Sequence, residues 1–446
     1  MDNRNWIEYV RQIISEHRIH TVRVCYHDNS NIQRSRFVSS RHFLDKVINE
    51  NIAIPSLLFS VDSSGSVDES IGDGYKGGYP SWVLKPDLST FSVVPYAAGT
   101  ARVIGDAYYG DLESIKSSPR YILRKVLEEY KKHGITVKGA FEYEFYIFKN
   151  NQDKLEPVWS GLNGQSEIKQ SDMEEIFSSI MLNLTEMGAG PEVANTESGS
   201  GQFEITNSPF WGIEIADMAY YYRTSIREII NKLDLTATFM AKPIANQNGS
   251  GAHIHLSLFN EAGDNLLYDD KNKDGLSQLC RNFMGGQLQN SRALCALVNS
   301  TINSYKRLQP YTFAPINATW GYEHRGSMIR IPASRGENTR IENRLPGADT
   351  NPYICLASIL AAGLYGIQNN LSPTEPMVLQ DAYLSDSLAL PRSLQEAIND
   401  LKADSIFKDY LGTEFINDYV KLREFEINRF NKHITDWEHK EYLQML

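Results

Sequence analysis

The sequence predicts an α+β protein, and three observations carry that prediction. Short β-like runs alternate with helical segments without the regular βαβ period of a doubly wound sheet. The C-terminal stretch from NPYICLASILAAGLYGIQ onward is largely helical in pattern. A small unit with its own helix and strands ends near residues 105–112, which divides the chain into a domain of residues 1–108 and a larger one of residues 109–446.

The elements follow in order. Residues 3–17 alternate charged and apolar side chains at helical spacing. TVRVCYHD and RSRFVSS alternate at period two and read as strands. Residues 60–80 are rich in Ser, Gly and Asp and read as a loop. DLSTFSVVPYAAGTARVIGDAYY is strand-like with turn breaks, and SPRYILRKVLEEYKKHG is a helix with Ser-Pro at its start and Gly at its end. Beyond it, GAFEYEFYIF, GSGQFEITNS, GAHIHLSLFN, SMIRIPAS and TRIENRLP read as short strands.

Composition narrows the function. The 446 residues are 41% hydrophobic and 22% charged, enough for a sizeable soluble core. A net charge of −11 disfavours nucleic acid or an anionic membrane as the main partner. It leaves phosphate ligands open, since these need only a few local cations. Cys25, Cys280, Cys295 and Cys355 are scattered singly, as expected of reduced thiols in the cytoplasm. No secretory leader is evident, and no run approaches a membrane span.

The chemistry-bearing residues fall in four clusters. In GAFEYEFYIF, strand alternation points Glu142 and Glu144 to one face and Phe141, Tyr143 and Phe145 to the other. Paired carboxylates on a strand are either a wet edge or a site bridged by a cation. TESGSGQFEI adds Glu197 and Glu204 around a Gly-rich bend, which alone reads equally as a turn with exposed acids. In QNGSGAHIHLSLFN, His253, His255 and Ser257 share a strand face, as metal or phosphate contacts or as core histidines. Arg307, Arg325, Arg330, Arg340 and Arg344 crowd the stretch from 307 to 344, with Glu342 among them. That concentration suits bidentate recognition of carboxylates and phosphates, although surface salt bridging is the plainer alternative. The motifs GxxxxGK[ST], HExxH and GxSxG are absent. The inventory therefore favours metal-assisted phosphoryl transfer without a P-loop, in an ATP-using enzyme whose substrate stays open.

Four ordered motifs then give a resemblance. NGSGAHIH resembles the NGSGMHxH of the glutamine synthetase family, and NSYKRL is the same as its signature. HRGSMIRIP resembles its NRSAxxRIP, and RIENRLPGADTNPY its RxExRxPDPxxNPY. The likeness runs over nearly the whole chain, including PDLSTFSVVPYAAGTARVIGD.

The resemblance implies an N-terminal β-grasp domain, a catalytic domain with a curved antiparallel sheet, and homo-oligomeric stacked rings, a dodecamer, with sites between neighbours. It implies ATP and glutamate as substrates and two or three Mg²⁺ or Mn²⁺ ions. One ion would take Glu144, Glu197 and Glu204, and the second Glu142, His253 and Glu342. His255, Ser257 and Arg340 match nucleotide-contacting positions, and Arg330 a phosphate-contacting one. Asn248, Gly249, Arg307 and Arg344 match glutamate-holding positions, with Arg325 near the glutamate carboxylate or the acyl phosphate.

Departures from the family pattern bear on the nucleophile. Where glutamine synthetases read RLVPGYEAP, with a Glu that helps form the ammonium pocket, this chain reads RLQPYTFAP and has Phe313. The ammonium-site aspartate lies in a DGSS stretch of the family. Here VDSSGS offers Asp62 as its equivalent across a subunit boundary. WGYEHR resembles the WGYDNR of γ-glutamyl-amide ligases. Glu337 stands where many ammonia users have Lys, and Tyr383 lies near the family's adenylylation tyrosine in an altered loop. The expectation is a ligase that joins the γ-carboxylate of glutamate to an organic amine other than ammonia. The alternatives are a glutamine synthetase using ammonia and a catalytically silent ring protein.

Overall fold

The computed structural model describes residues 3–72, 74–151, 154–161 and 164–446. The chain opens with the helix Asn3–Glu16, which buries Val10 and Ile14, one turn apart. They pack on a first sheet of β1 (Thr21–His27), β2 (Gln33–Ser39), β3 (Ile52–Pro55), β4 (Ser81–Pro86), β5 (Ser92–Val93) and β6 (Thr100–Tyr108). The strand order is β2-β1-β6-β4-β3, with β5 beside β6. β1 and β6 run parallel and the other pairs antiparallel. Val22, Val24, Leu84 and Val103 turn inward to one cluster with Phe43 and Phe59.

A second, ten-stranded sheet shares no strand with the first. It comprises β7 (Thr136–Asn151), β8 (Lys154–Pro157), β9 (Pro191–Thr196), β10 (Gln202–Asn207), β11 (Phe210–Trp211), β12 (Leu235–Thr238), β13 (Ala252–Phe259), β14 (Trp320–Tyr322), β15 (Ile329–Ile331) and β16 (Ile341–Asn343). The order is β14-β15-β16-β13-β7-β10-β9, with β8, β11 and β12 also paired to β7. Only β14 and β15 pair in parallel among these strands.

The 16-residue β7 is the spine. Its first half pairs with β13 and residues 146–149 with β12 on one edge, while β10 takes the middle of the other. A strand that changes partners along its length must twist out of plane, and the sheet curls into a half-barrel. The expected strands GAFEYEFYIF, GSGQFEITNS, GAHIHLSLFN, SMIRIPAS and TRIENRLP all fall on this sheet.

Helices cover its convex side. Phe141, Tyr143 and Phe145 are buried with the helices Pro119–Lys132 and Glu214–Lys232. Behind them Pro352–Gln368 is buried along nearly all its length and packs against Gln278–Gln289. That crossing needs glycine: a Cβ on Gly286 would lie 2.0 Å from the Ala362 carbonyl oxygen, and one on Gly366 2.2 Å from that of Asn282. No helix among the described residues is long and apolar enough to cross a membrane.

Charge ties the two sheets together. Buried Arg120, on Pro119–Lys132, bonds Asp87 (2.8 Å) and Asp106 (2.8 Å) from the first sheet's side and Asp217 (2.7 Å) from Glu214–Lys232. Burial would raise the Asp87 pKa, but Arg120, Ser89 and Arg124 outweigh it and hold the carboxyl down to about 2. A carboxyl depressed from about 3.9 to that value stabilises the fold above pH 4 and loses this contribution as pH falls toward 2, a term of about 2 kcal/mol. Asp87→Asn should therefore lower stability by about 2 kcal/mol at pH 7, with the gap to the parent closing below pH 3 in urea unfolding. A gap of constant size across that range would contradict the assignment.

Candidate active site

Register builds the site on the concave face of the second sheet. Residues directly opposite each other on neighbouring strands share a face. His253 lies opposite Glu142, Glu204 opposite Glu144, His255 opposite Glu342, and Glu342 opposite Arg330. Period-two alternation carries the same face to Ser257, Arg344 and Gln202. Residues far apart in sequence thus become one row of acids and imidazoles edged by guanidinium groups.

His253 Nδ1 is 3.3 Å from Glu142 Oε1 and 3.7 Å from Glu342 Oε1, and His255 Nε2 is 3.5 Å from Glu142 Oε2. Among the described residues, two groups gather donor atoms within 4.8 Å of one another: Glu142, Glu204 and His253, and Glu142, His255 and Glu342. This grouping differs from the expected partition in sharing Glu142 between both sets and bringing His255 into the second. Glu144 instead accepts from the Gly251 amide at 2.7 Å, and Glu197 from Asn195 Nδ2 at 3.1 Å.

The electrostatics show the cost of this crowding. Burial, reinforced by Glu142, Glu144 and Glu197, pushes the Glu204 carboxyl up to about 10. Burial and the Glu144 charge push Glu197 to about 7. For Glu342 the burial penalty is outweighed by Arg344 and the two histidines, which hold it down to about 2. Carboxylates that ionise together only beside added positive charge, with neutral imidazole nitrogens among them, fit divalent cations.

Two cavities flank the row and share Glu142 as a wall. One, of about 290 Å³, is lined by the acids, Asn248, Gly249, Arg307, Arg325, Arg344 and Phe313. The other, of about 430 Å³, is lined by Lys138, His255, Ser257, Arg340 and Glu337. Arg340 Nε donates to His255 Nδ1 at 3.3 Å, and Ser257 Oγ to the Thr339 carbonyl at 2.8 Å. Arg330 is fixed between Glu342 (2.6 Å) and Glu323 (2.7 Å).

Arg344 pairs with Glu342 and donates to the Arg325 carbonyl at 3.1 Å. Arg307 is buried, donates to the carbonyls of Leu345 (2.9 Å) and Arg344 (3.0 Å), and is held down to about 10 by burial and by Arg344. Arg325 stands exposed at the cavity mouth. Phe313 is 58% exposed there, with a left-handed backbone (φ 58°).

Asp62 is the predicted residue that does not join this group. It is buried elsewhere in its own chain, accepting from Ser64 and Ser66 and pairing with Arg429 at 2.7 Å. Conversely, Gln202 lines the smaller cavity and donates to the Gly249 carbonyl at 3.1 Å, a residue that strand parity with Glu204 would have revealed. Glu323, which anchors Arg330, carries no such signal, because its contact is made through the tertiary fold.

Comparison with known proteins agrees with this geometry. Residues 116–442 match the family described as glutamine synthetase, catalytic domain. A glutamate–isopropylamine ligase from Pseudomonas sp is 34% identical over 457 residues, spanning 100% of this chain and 99% of the relative. A glutamine synthetase from Thermotoga maritima is also 34% identical over 453 residues, spanning 98% and 100%. A solved GmaS–ADP complex superposes with a TM-score of 0.87 at 26% identity, over 97% of this chain and 99% of that one. Both the long match to the catalytic domain and the end-to-end likeness to these relatives place the chain in the glutamine synthetase family.

Proposed function

We propose that the protein is an ATP-dependent carbon–nitrogen ligase that activates the γ-carboxylate of glutamate as γ-glutamyl phosphate and joins it to an amine other than ammonia. The observation that carries the choice of amine is Phe313 at the mouth of the acid-lined cavity. A phenyl ring cannot bind ammonium by charge or take its proton, but it can pack against an alkyl substituent. The glutamate–isopropylamine ligase supports this reading, whereas the equal identity to a glutamine synthetase leaves the decision to the pocket.

The residues divide the work. The larger cavity would take ATP, with His255, Ser257 and Arg340 at the nucleotide and Arg330 at its phosphates. Asn248, Gly249, Arg307 and Arg344 would hold glutamate in the smaller cavity so that its γ-carboxylate faces Glu142, where the two cavities meet. Glu142, Glu144, Glu197, Glu204, His253 and Glu342 would hold two or three Mg²⁺ or Mn²⁺ ions, which supply neutralisation of phosphate charge. A γ-carboxylate oxygen attacks the γ-phosphorus and ADP departs. Arg325 would steady the acyl phosphate. The amine nitrogen then attacks the acyl carbon, the C–O bond to phosphate breaks, and the nitrogen gives up a proton. Asp62 of a second copy of the chain would accept it once released from the pairing with Arg429 that holds it within its own chain. That role needs a second copy of the chain, which homo-oligomeric stacked rings, a dodecamer, of chains divided into domains 1–108 and 109–446 would supply. The net charge of −11 suits an enzyme of small molecules, which we place in the cytoplasm.

Two experiments test this function. With ATP, Mg²⁺ and glutamate, phosphate release should be robust with one or more of methylamine, isopropylamine, ethanolamine, putrescine, spermine or aniline and weak with ammonia. Turnover with ammonia alone would make the protein a glutamine synthetase, and none with any amine would support a silent ring protein. Substituting Phe313→Glu should raise kcat/KM for ammonia by about tenfold and lower it for the preferred amine by at least as much. An unchanged ratio would remove Phe313 from the amine pocket.

A further inference from the structure

Tyr311 and Phe313 both adopt the left-handed region (φ 63° and 58°), which is costly for residues with a Cβ. Both rings are largely exposed, so burial does not hold them there. What holds them is the turn at 381–384. The Tyr383 ring packs on that of Tyr311, with centroids 5.0 Å apart and planes at 52°. The Tyr383 hydroxyl is buried, lies at the backbone amide of Phe313, and has no well-aligned partner among the described residues.

The turn is itself anchored from two sides. Asn317 Nδ2 donates to the Ala382 carbonyl at 2.6 Å. His324, in the loop that carries Arg325, lies 3.0 Å by its Nε2 from the Gln380 carbonyl. A carbonyl only accepts, so Nε2 is the protonated nitrogen, and Nδ1 accepts from Ser327 Oγ at 3.0 Å. Asp381 caps the turn by accepting from the Tyr383 amide at 2.9 Å. The loops bearing Phe313 and Arg325 therefore meet a common buttress.

We propose that Tyr383 is a positioning residue for amine selection: it fixes the Tyr311–Phe313 segment so that the Phe313 ring walls the mouth of the glutamate cavity and favours primary amines with a short apolar substituent over ammonia. This rests on the ligase reading above. It gives Tyr383 a role in specificity that does not require its modification.

The test compares the parent with Tyr383→Phe and Tyr383→Ala. The alanine variant should raise KM for methylamine or isopropylamine about tenfold with kcat within about twofold, and should narrow the preference for these amines over ammonia. KM for glutamate and for ATP should stay at parent values. The phenylalanine variant, which keeps the ring, should fall between the two. An unchanged amine preference, or an equal loss for all three substrates, would overturn the proposal. Amide hydrogen exchange across 309–316 reads the same claim without activity. Exchange there should be about tenfold faster in Tyr383→Ala, and an unchanged rate would overturn the positioning role. If the parent forms no γ-glutamyl amide with any amine while the exchange result holds, the ligase reading fails and the loop-pinning does not.

Discussion

Strand register brings Glu142, Glu144, Glu204 and Glu342 to one face and the bend after β9 adds Glu197, so that like charges repel strongly there. Arg330 and Arg344 compensate Glu342, and the histidines compensate Glu142. Nothing comparable faces Glu204, whose carboxyl is driven up to about 10 by burial and by its neighbours. The uneven charge is the constraint around which the rest of the site is arranged. Divalent cations would relieve it, and the phosphates of ATP would find those cations where the two cavities meet. The aromatic residues on the other face of β7 are the mechanical counterpart: Phe141, Tyr143 and Phe145 lock the strand against the helices and keep the acids from spreading apart.

The architecture also separates activation from nucleophile choice. Most of the acids, the imidazoles and Arg330 sit on strands whose register is fixed by many backbone hydrogen bonds. Phe313 sits on a loop held by Tyr383 and the 381–384 turn. A change in that loop can alter which amine enters without disturbing the strand-borne residues. Such a division accounts for a family in which chains of equal similarity to this one carry names as different as glutamine synthetase and glutamate–isopropylamine ligase.

Much of this was legible in the sequence where short-range rules govern. Period-two alternation gave GAFEYEFYIF its buried aromatic face and its acidic face, and the helix at 118–134 is Pro119–Lys132, with Pro at its first turn. Motif order brought His253, Glu342 and the arginines to one sheet. Three things depended on the tertiary fold. The sharing of Glu142 between two donor groups follows from which strand lies opposite which. The anchoring of Arg330 by Glu323 and the stacking of Tyr383 on Tyr311 join loops whose proximity no local pattern encodes. Asp62 also illustrates the limit: its Ser-rich loop predicts the hydrogen bonds it accepts, but Arg429 as its partner comes from the distant helix Thr413–Asn431.

The claim that this acidic wall is a divalent-cation site is tested most directly by titrating the metal-stripped protein with Mn²⁺ and following free ion by electron paramagnetic resonance. The account predicts two or three bound ions per chain, and the loss of at least one in Glu142→Gln, since Glu142 belongs to both donor groups. It also predicts that Mn²⁺ at about a hundred times its dissociation constant stabilises the parent by about 2.7 kcal/mol per ion. Binding that is no stronger than to Glu142→Gln, or no stabilisation at millimolar Mn²⁺, would contradict it.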